Sequence, residues 1–518
     1  MAKIKPLISW LKLGLVVPDH HFTGFSRRVT QKKKRMSSNV TMKFLSVISL
    51  CFLLCLYVRR VSSQNAITPP RGWNSYDSFS WVISEEEYLQ NAQIISDQLL
   101  KEYGYEYAVV DYLWYRKLDG DSNSRGFDVI DEWGRMHPDP ERWPSSIGWK
   151  GFKDVADKVH NMGLKFGIHL MAGISTQAYD ANTPILDTTT GRAYEESGQV
   201  WHARDIGYPE RSCKWMSNGF MPINTISGAG QAFLRSIYEL YTSWGVDFVK
   251  LDCVFAQDLD YNEIHYVSQL LNELNPSIVF SVSPGVDATS VQAKPVSGLV
   301  NTYRVTGDDW DKWKQVVAHF DVARDFAAAN LIGAPGLNGK SWPDLDMLPF
   351  GWLTDPAVKK GPHRLTKLTP EEQQTQMTLW CMAKSPIMYG GDLRHLESWK
   401  DSVIFPYITR IDTVKRGRKL GNIKAQGSAD AGLRAWIATG NNGGQSPLGE
   451  DIYIAFFNLN DEAATMSANL DDLGTVLRGR QLRGLRGREA WTSSTVVLDD
   501  TLSMEVSGHG CTLFVFNY

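Results

Sequence analysis

Between Arg71 and Tyr389, short strand-forming runs alternate with helical segments, and that rhythm leaves few folds open. Eight strand candidates are Arg71–Ser75, Tyr107–Asp111, Leu164–Leu170, Val246–Asp252, Ile278–Val282, Leu299–Arg304, Asn330–Gly333 and Pro386–Tyr389. Ser84-Glu85-Glu86-Glu87 reads as a capping box with Ser84 as N-cap, opening a helix through Ile94, Leu99 and Leu100. Further helices are expected at Phe152–Asn161, stopped by Gly163, and at Phe233–Trp244, Trp313–Ala328 and Glu371–Ala383. Parallel strands need crossover connections, so the series predicts an α/β (β/α)8 TIM barrel.

After about residue 405 the pattern changes. Leu433–Ala438, Ile452–Asn458, Thr465–Asn469, Glu489–Thr492, Leu502–Val506 and Cys511–Phe516 are short β runs separated by Gly, Asn, Asp and Ser, with a turn or excursion at Asn441–Gly449. They predict a C-terminal antiparallel β-sandwich over 406–518, following a barrel over 64–405. Residues 1–63 are a different object. The apolar run Phe44–Val58 has the length of a signal-peptide core and is short for a membrane span, with Val61 and Ser63 small enough for cleavage before Gln64. A basic extension with Lys32-Lys33-Lys34-Arg35 precedes it, which leaves two readings: a start near Met36 or Met42, or an uncleaved anchor. A secretory destination is expected: secreted or cell wall, vacuole or lysosome.

Of 54 Lys/Arg and 57 Asp/Glu, the first 63 residues hold twelve and one, leaving 42 basic against 56 acidic residues and a formal charge of −14. Such a chain repels phosphate backbones, so no nucleic-acid partner is expected, nor a stable membrane partner. Beyond the signal four cysteines remain, Cys213, Cys253, Cys381 and Cys511, which permit disulfides without requiring them. None forms a CxxC pair, HExxH is absent and the histidines are scattered, so no metal is expected. Gly228-Ala229-Gly230 is not followed by a nucleotide-binding pattern, and no cofactor is expected.

Two apolar runs end in acids. In Val246–Asp252 the alternation of a strand puts Phe248, Lys250 and Asp252 on one face and Val249 and Leu251 on the other. In a closed parallel barrel the first face points into the lumen and its last member reaches the mouth. A lysine beside a carboxylate there is hard to explain as packing, although Asp252 alone could be a helix cap. Tyr303–Trp310 carries the second acid, Asp308. Two carboxyls at strand exits point to acid/base or nucleophilic chemistry.

RGWNSYDSF at 71–79, YAVVDYLW at 107–114, GLKFGIHLMAG at 163–173, WGVDFVKLD at 244–252, YRVTGDDWD at 303–311, WPDLDML at 342–348 and AKSPIMYGGDL at 383–393 resemble, in order, the blocks of α-galactosidases (melibiases) of glycoside hydrolase family 27. The resemblance runs from residue 69 to about 518. It implies a retaining exo-glycosidase with Asp252 as nucleophile and Asp308 as acid/base, carboxyls that in such enzymes stand roughly 5 Å apart. It also implies sugar contacts from Tyr76, Asp111, Lys250 and Arg304, with Asp344, Asp346 and Met347 in the block that closes the site. For Tyr76 and Met347 plain core filling is an equally good reading.

The sequence departs from the family at several points. Tyr112 stands where the family has a second acid beside Asp111, and Ser283-Pro284-Gly285 replaces a Cys-Glu-Trp block. Cys253 follows the nucleophile by one position where the family's disulfide cysteine follows by two, so a Cys213–Cys253 bridge is one option. An insertion between Thr176 and Ser227 carries Trp201, His202, Arg204, Cys213 and Trp215, able to shape the mouth. β-L-arabinopyranose is α-D-galactopyranose without its hydroxymethyl group, so Tyr112 makes the family's β-L-arabinopyranosidase activity the alternative to α-galactosidase. Galactosyl or arabinopyranosyl glycans are the expected partners. A non-catalytic sugar-binding protein is a third reading, opposed by Asp252 and Asp308 standing together with Lys250 and Arg304.

Overall fold

Strands covered on both faces need apolar residues throughout, and the central sheet is built from such strands. The computed structural model of the chain describes residues 64–98, 104–355, 361–395, 432–440, 451–476 and 481–516, all within one compact unit, Ser63–Tyr518. Eight strands, β1 (Arg71–Asn74), β2 (Tyr107–Val110), β3 (Lys165–Met171), β4 (Phe248–Asp252), β5 (Val279–Val282), β6 (Thr302–Arg304), β7 (Gly339–Asp344) and β8 (Ile387–Tyr389), pair in parallel, each with its successor from β1 to β7, and β8 with β1. A parallel bridge between Leu348 and Tyr389 brings the segment after β7 beside β8, so the sheet curls round on itself. Helices α1 (Glu85–Asp97), α2 (Lys153–Asn161), α3 (Gly228–Ser243), α4 (Tyr261–Leu274), α5 (Ser290–Ser297), α6 (Trp313–Ala328) and α7 (Pro370–Ala383) make the crossovers in turn. This arrangement fits a TIM barrel.

The alternation expected of β4 is observed. Phe248 joins Tyr107, Val109, Val279, Met347 and Met388 in a small inner cluster, whereas Val249 and Leu251 belong to the large core shared with the helices. Gly167 of β3 lies beside Phe248 and makes room for that ring: a Cβ there would sit 2.8 Å from Val109 Cγ2 and 3.1 Å from Phe248 Cβ. The capping box at α1 is present, with the Glu87 amide donating to Ser84 Oγ at 3.3 Å and the Ser84 amide donating to Glu87 Oε2 at 3.0 Å.

One expected strand is corrected. Asn330–Gly333 is a turn closing α6, with Asn330 and Gly333 at φ 60° and 63°, and the seventh strand is Gly339–Asp344, in hairpin with Ala334–Gly336. Leu99 and Leu100, residues 1–63, the boundary at 405–406 and the Asn441–Gly449 loop lie outside the described residues.

The C-terminal region is antiparallel. Strands β9 (Leu433–Gly440), β10 (Asp451–Asn458), β12 (Leu485–Glu489), β13 (Thr495–Leu498) and β15 (Cys511–Phe516) form one sheet in the order β9-β10-β15-β12-β13, and β11 (Ala464–Asn469) pairs with β14 (Thr501–Val506). The strand expected at Glu489–Thr492 instead ends at Glu489, and β13 was not foreseen. Every residue of β10 is buried because its two faces have different partners. Ile452, Ile454 and Phe456 pack with Met466, Leu502 and Val506, while Phe457 meets Phe320 of α6 with ring centroids 5.0 Å apart. Among the described residues no helix is long and apolar enough to cross a membrane.

Gly167→Val is expected to overpack the lumen and cost about 1–3 kcal/mol in urea unfolding. An unchanged unfolding midpoint would contradict the packing of Phe248 against Gly167.

Candidate active site

Side chains that leave the sheet at the carboxyl ends of parallel strands converge on one mouth. Here they surround a cavity of about 340 Å³ lined by Tyr76, Asp111, Tyr112, Ser122, His169, Trp215, Met216, Lys250, Asp252, Gln257, Pro284, Val286, Asp308 and Met347.

Three strands build its inner wall. The β3–β4 register sets Lys250 beside His169, and Lys250 Nζ donates to Asp111 Oδ2 at 3.0 Å. Asn74 Nδ2 donates to the same oxygen at 2.8 Å, and the Asp111 amide donates to Ser75 Oγ at 3.0 Å. Burial pushes the Asp111 carboxyl up, but the Lys250 ammonium, His169 and hydrogen bonds from the Tyr112 and Asn74 amides hold it far below the usual carboxylate range. Asp252 ends β4 with Oδ2 3.0 Å from His169 Nε2 and Oδ1 accepting from the Cys253 amide at 2.6 Å. Burial again opposes ionisation, and the His169 hydrogen bond, the Lys250 charge and the Cys253 amide outweigh it, so Asp252 stays anionic. Lys250 itself is raised by Asp111 and Asp252 against the desolvation that lowers it.

Asp308 is placed differently. Its side chain is 59% exposed at the rim, with Arg304 Nη2 3.4 Å from Oδ1. Behind it lies a buried brace. Arg304 Nη1 pairs with Asp346 Oδ1 at 2.7 Å, Asp346 Oδ2 accepts from the Asp309 amide at 2.7 Å, and Gln376 Nε2 of α7 donates to Asp309 Oδ2 at 2.5 Å. Asp346 has φ 100°, a backbone state rare for a side chain with a Cβ, and the Asp344 carboxylate (2.9 Å) and the Trp380 indole (2.8 Å) hold its amide and its carbonyl. Burial raises Asp309 well above its ordinary range and Asp346 to about 7, although Arg304 pulls both down. Asp77, beneath the site, has both carboxyl oxygens buried with no hydrogen-bond partner among the described residues and is strongly raised by burial and by Asp346.

Of the residues expected from sequence, Asp252, Asp308, Tyr76, Asp111, Lys250 and Met347 line one cavity, and Arg304 and Asp346 stand behind its wall as the support of Asp308. The Cys213–Cys253 disulfide is formed, with Cα atoms 5.9 Å apart, and ties the insertion to the residue after Asp252. His169 was not foreseen as a site residue. The signal was there, since strand alternation counted from Phe166 turns Gly167 and His169 to the lumen face. Among the described residues no cluster of three or more His, Cys, Asp or Glu side chains is placed to hold a metal ion.

The family model for α-galactosidase A matches residues 72–190 and 230–406. An α-galactosidase of Cyamopsis tetragonoloba is 24% identical, covering 88% of this chain and 89% of its own, and α-galactosidase 3 of Arabidopsis thaliana is 25% identical, covering 99% and 97%. Among solved structures, a family 27 β-L-arabinopyranosidase of Geobacillus stearothermophilus, in complex with arabinose, superposes with a TM-score of 0.73 at 31% identity, covering 88% of this chain and 98% of that one. The chain belongs to the α-galactosidase A family of glycosidases.

The two kinds of carboxyl respond to pH with opposite sign. Asp111 and Asp252, lowered in the fold, contribute stability that is present above the unfolded value of about 3.9 and lost as pH falls through their folded values. Asp77, raised in the fold, contributes stability that is complete below about pH 3.9 and lost at up to about 1.4 kcal/mol per unit as pH rises towards its folded value. Asp77→Asn, a neutral side chain of the same shape, is therefore expected to gain on the wild type at pH 7 and not at pH 4 in urea unfolding. Equal differences at the two pH values would contradict this.

Proposed function

We propose that this chain hydrolyses terminal α-D-galactosyl residues with net retention, on a closed (β/α)8 barrel followed by a β-sandwich. The observation that carries the reading is Asp252, held as an anion by His169, Lys250 and the Cys253 amide in the cavity that Asp308 also lines. Asp252 attacks the anomeric carbon as Asp308 gives its proton to the departing glycosidic oxygen, and the C–O bond to the leaving group breaks. Asp308, now a carboxylate near Arg304, takes a proton from water; the resulting hydroxide attacks the same carbon and releases Asp252. Asp111 and Lys250 hold sugar hydroxyls, and Tyr76 supplies an aromatic face, its ring 5.5 Å from Tyr112 and 5.7 Å from Trp310.

One observation favours a second substrate. Tyr112, 7% exposed and packed edge-on against His169 and Tyr76, fills the place of the acid expected beside Asp111, a pocket shape that suits a sugar lacking the hydroxymethyl group. The similarity to the Geobacillus β-L-arabinopyranosidase supports the same reading. The natural substrates are galactosyl- or arabinopyranosyl-containing glycans. The signal-like segment Phe44–Val58 supports a secretory destination.

Rates on aryl α-D-galactoside and aryl β-L-arabinopyranoside, with NMR of the first-formed anomer, test the reading. Retention is expected on whichever glycoside is cut. Asp308→Ala should lower the rate on a poor leaving group by about 10²–10⁴-fold. Binding of galactose without turnover of any activated glycoside would leave only a sugar-binding protein. Tyr112→Asp should move the rate ratio towards the galactoside, and an unmoved ratio would take the specificity role from Tyr112.

A further inference from the structure

Glu263, in the first turn of α4, is 1% exposed, and the mechanism above gives it no part. Its Oε1 accepts from the Gly173 amide at 2.8 Å. Gly173 stands at the exit of β3, between two residues that tie this exit to the rest of the site. Ala172 before it donates its amide to the Asp252 carbonyl at 2.9 Å, and Ile174 after it pairs with Met221 of the insertion. Gly173 itself has φ 76° and no room for a side chain, since a Cβ there would sit 2.0 Å from the Met221 carbonyl oxygen. Glu263 also lines a cavity of about 30 Å³ walled by Leu170, Phe220, Phe233, Leu234 and Leu251, and its Oε2 is buried with no hydrogen-bond partner among the described residues. A space that holds about two water molecules cannot solvate a carboxylate. No cation lines it: the ionisable neighbours are Tyr115, Tyr238 and Tyr241, whose hydroxyls burial keeps neutral, and Asp260, the N-cap of α4, which lies 3.7 Å from Arg211.

We propose that Glu263 is a positioning residue for the nucleophile: as the neutral acid it fixes the exit of β3, and with it the backbone of Asp252, and on losing its proton to solvent it lets that exit go. The proposal rests on the glycosidase reading above and adds to it a group outside the sugar cavity that sets an alkaline limit on the reaction. Burial, with the Asp260 charge, raises the Glu263 carboxyl to about 8, although the Gly173 amide pulls it down. Raised in the fold, its hold is whole below the unfolded value of about 4.3 and is lost as pH rises through about 8. Above that value the charge leaves the apolar cavity for water, and Gly173 loses its acceptor.

The test reads kcat/KM against pH on a glycosyl fluoride, whose leaving group departs without a proton from Asp308, so that the titration of Asp308 does not enter. The wild type is expected to fall about tenfold per pH unit above about pH 8. Glu263→Gln, an amide that accepts from Gly173 and does not ionise, should stay within about threefold of the wild type at about pH 6 and carry its plateau at least about one pH unit higher. Glu263→Leu, which offers Gly173 no acceptor, should lower kcat about tenfold at every pH. A measurement on the wild type needs no variant: hydrogen exchange at the Gly173 amide, corrected for its intrinsic rise with pH, should accelerate between about pH 7 and about pH 9, while exchange at the Val249 amide within β4 does not. Alkaline limbs that coincide in the wild type and Glu263→Gln, a fully active Glu263→Leu, or corrected exchange at Gly173 that stays flat would each overturn the proposal. Turnover of no glycoside by the wild type removes the glycosidase reading itself, and the exchange measurement then still decides whether Glu263 holds Gly173.

Discussion

A lysine ammonium inside a barrel is expensive unless carboxylates surround it, and the centre of this molecule is organised around Lys250. Its Nζ lies 3.0 Å from Asp111, and its charge, with His169, keeps Asp252 ionised in a place where burial alone would protonate it. Asp111 directly follows β2, His169 lies on β3, and Lys250 and Asp252 lie on β4, so the arrangement exists only because the parallel register sets Lys250 level with His169. Fold and chemistry meet in that register.

The second carboxyl is held by other means. Asp308 sits on a loop after β6, exposed enough to meet a leaving group and water, and its backbone is fixed through the neighbouring Asp309, which is bonded to Asp346 and to Gln376. The helix that supplies Gln376 also meets the C-terminal region, where Thr375 Oγ1 donates to the His509 carbonyl at 2.7 Å and His509 stacks on Trp313 with ring centroids 4.5 Å apart. The antiparallel region thus braces α6 and α7, the helices that lie against the loop carrying Asp308 and Asp309.

Much of this was legible in the sequence. Alternation along Val246–Asp252 sorted Lys250 and Asp252 from Val249 and Leu251, and the Ser84 box marked the start of a helix. The seventh strand was not, for a physical reason: Leu331 and Ile332 look like a strand but close a helix, while the true strand contains Gly339 and Pro343, which normally argue against one. The role of Arg304 and Asp346 behind the wall depends on a backbone turn at Asp346 that no pattern of residue types announces. His169 needed both strand alternation and register, and only the first can be read from residues.

The most direct measurement of the account is the site of covalent attachment. A 2-deoxy-2-fluoro glycosyl fluoride, which slows the second step, should leave the enzyme with one sugar bound to the peptide that ends in Asp252, seen by mass spectrometry. A sugar found on Asp308 or Asp111, or no adduct together with an inverted first product, would contradict it.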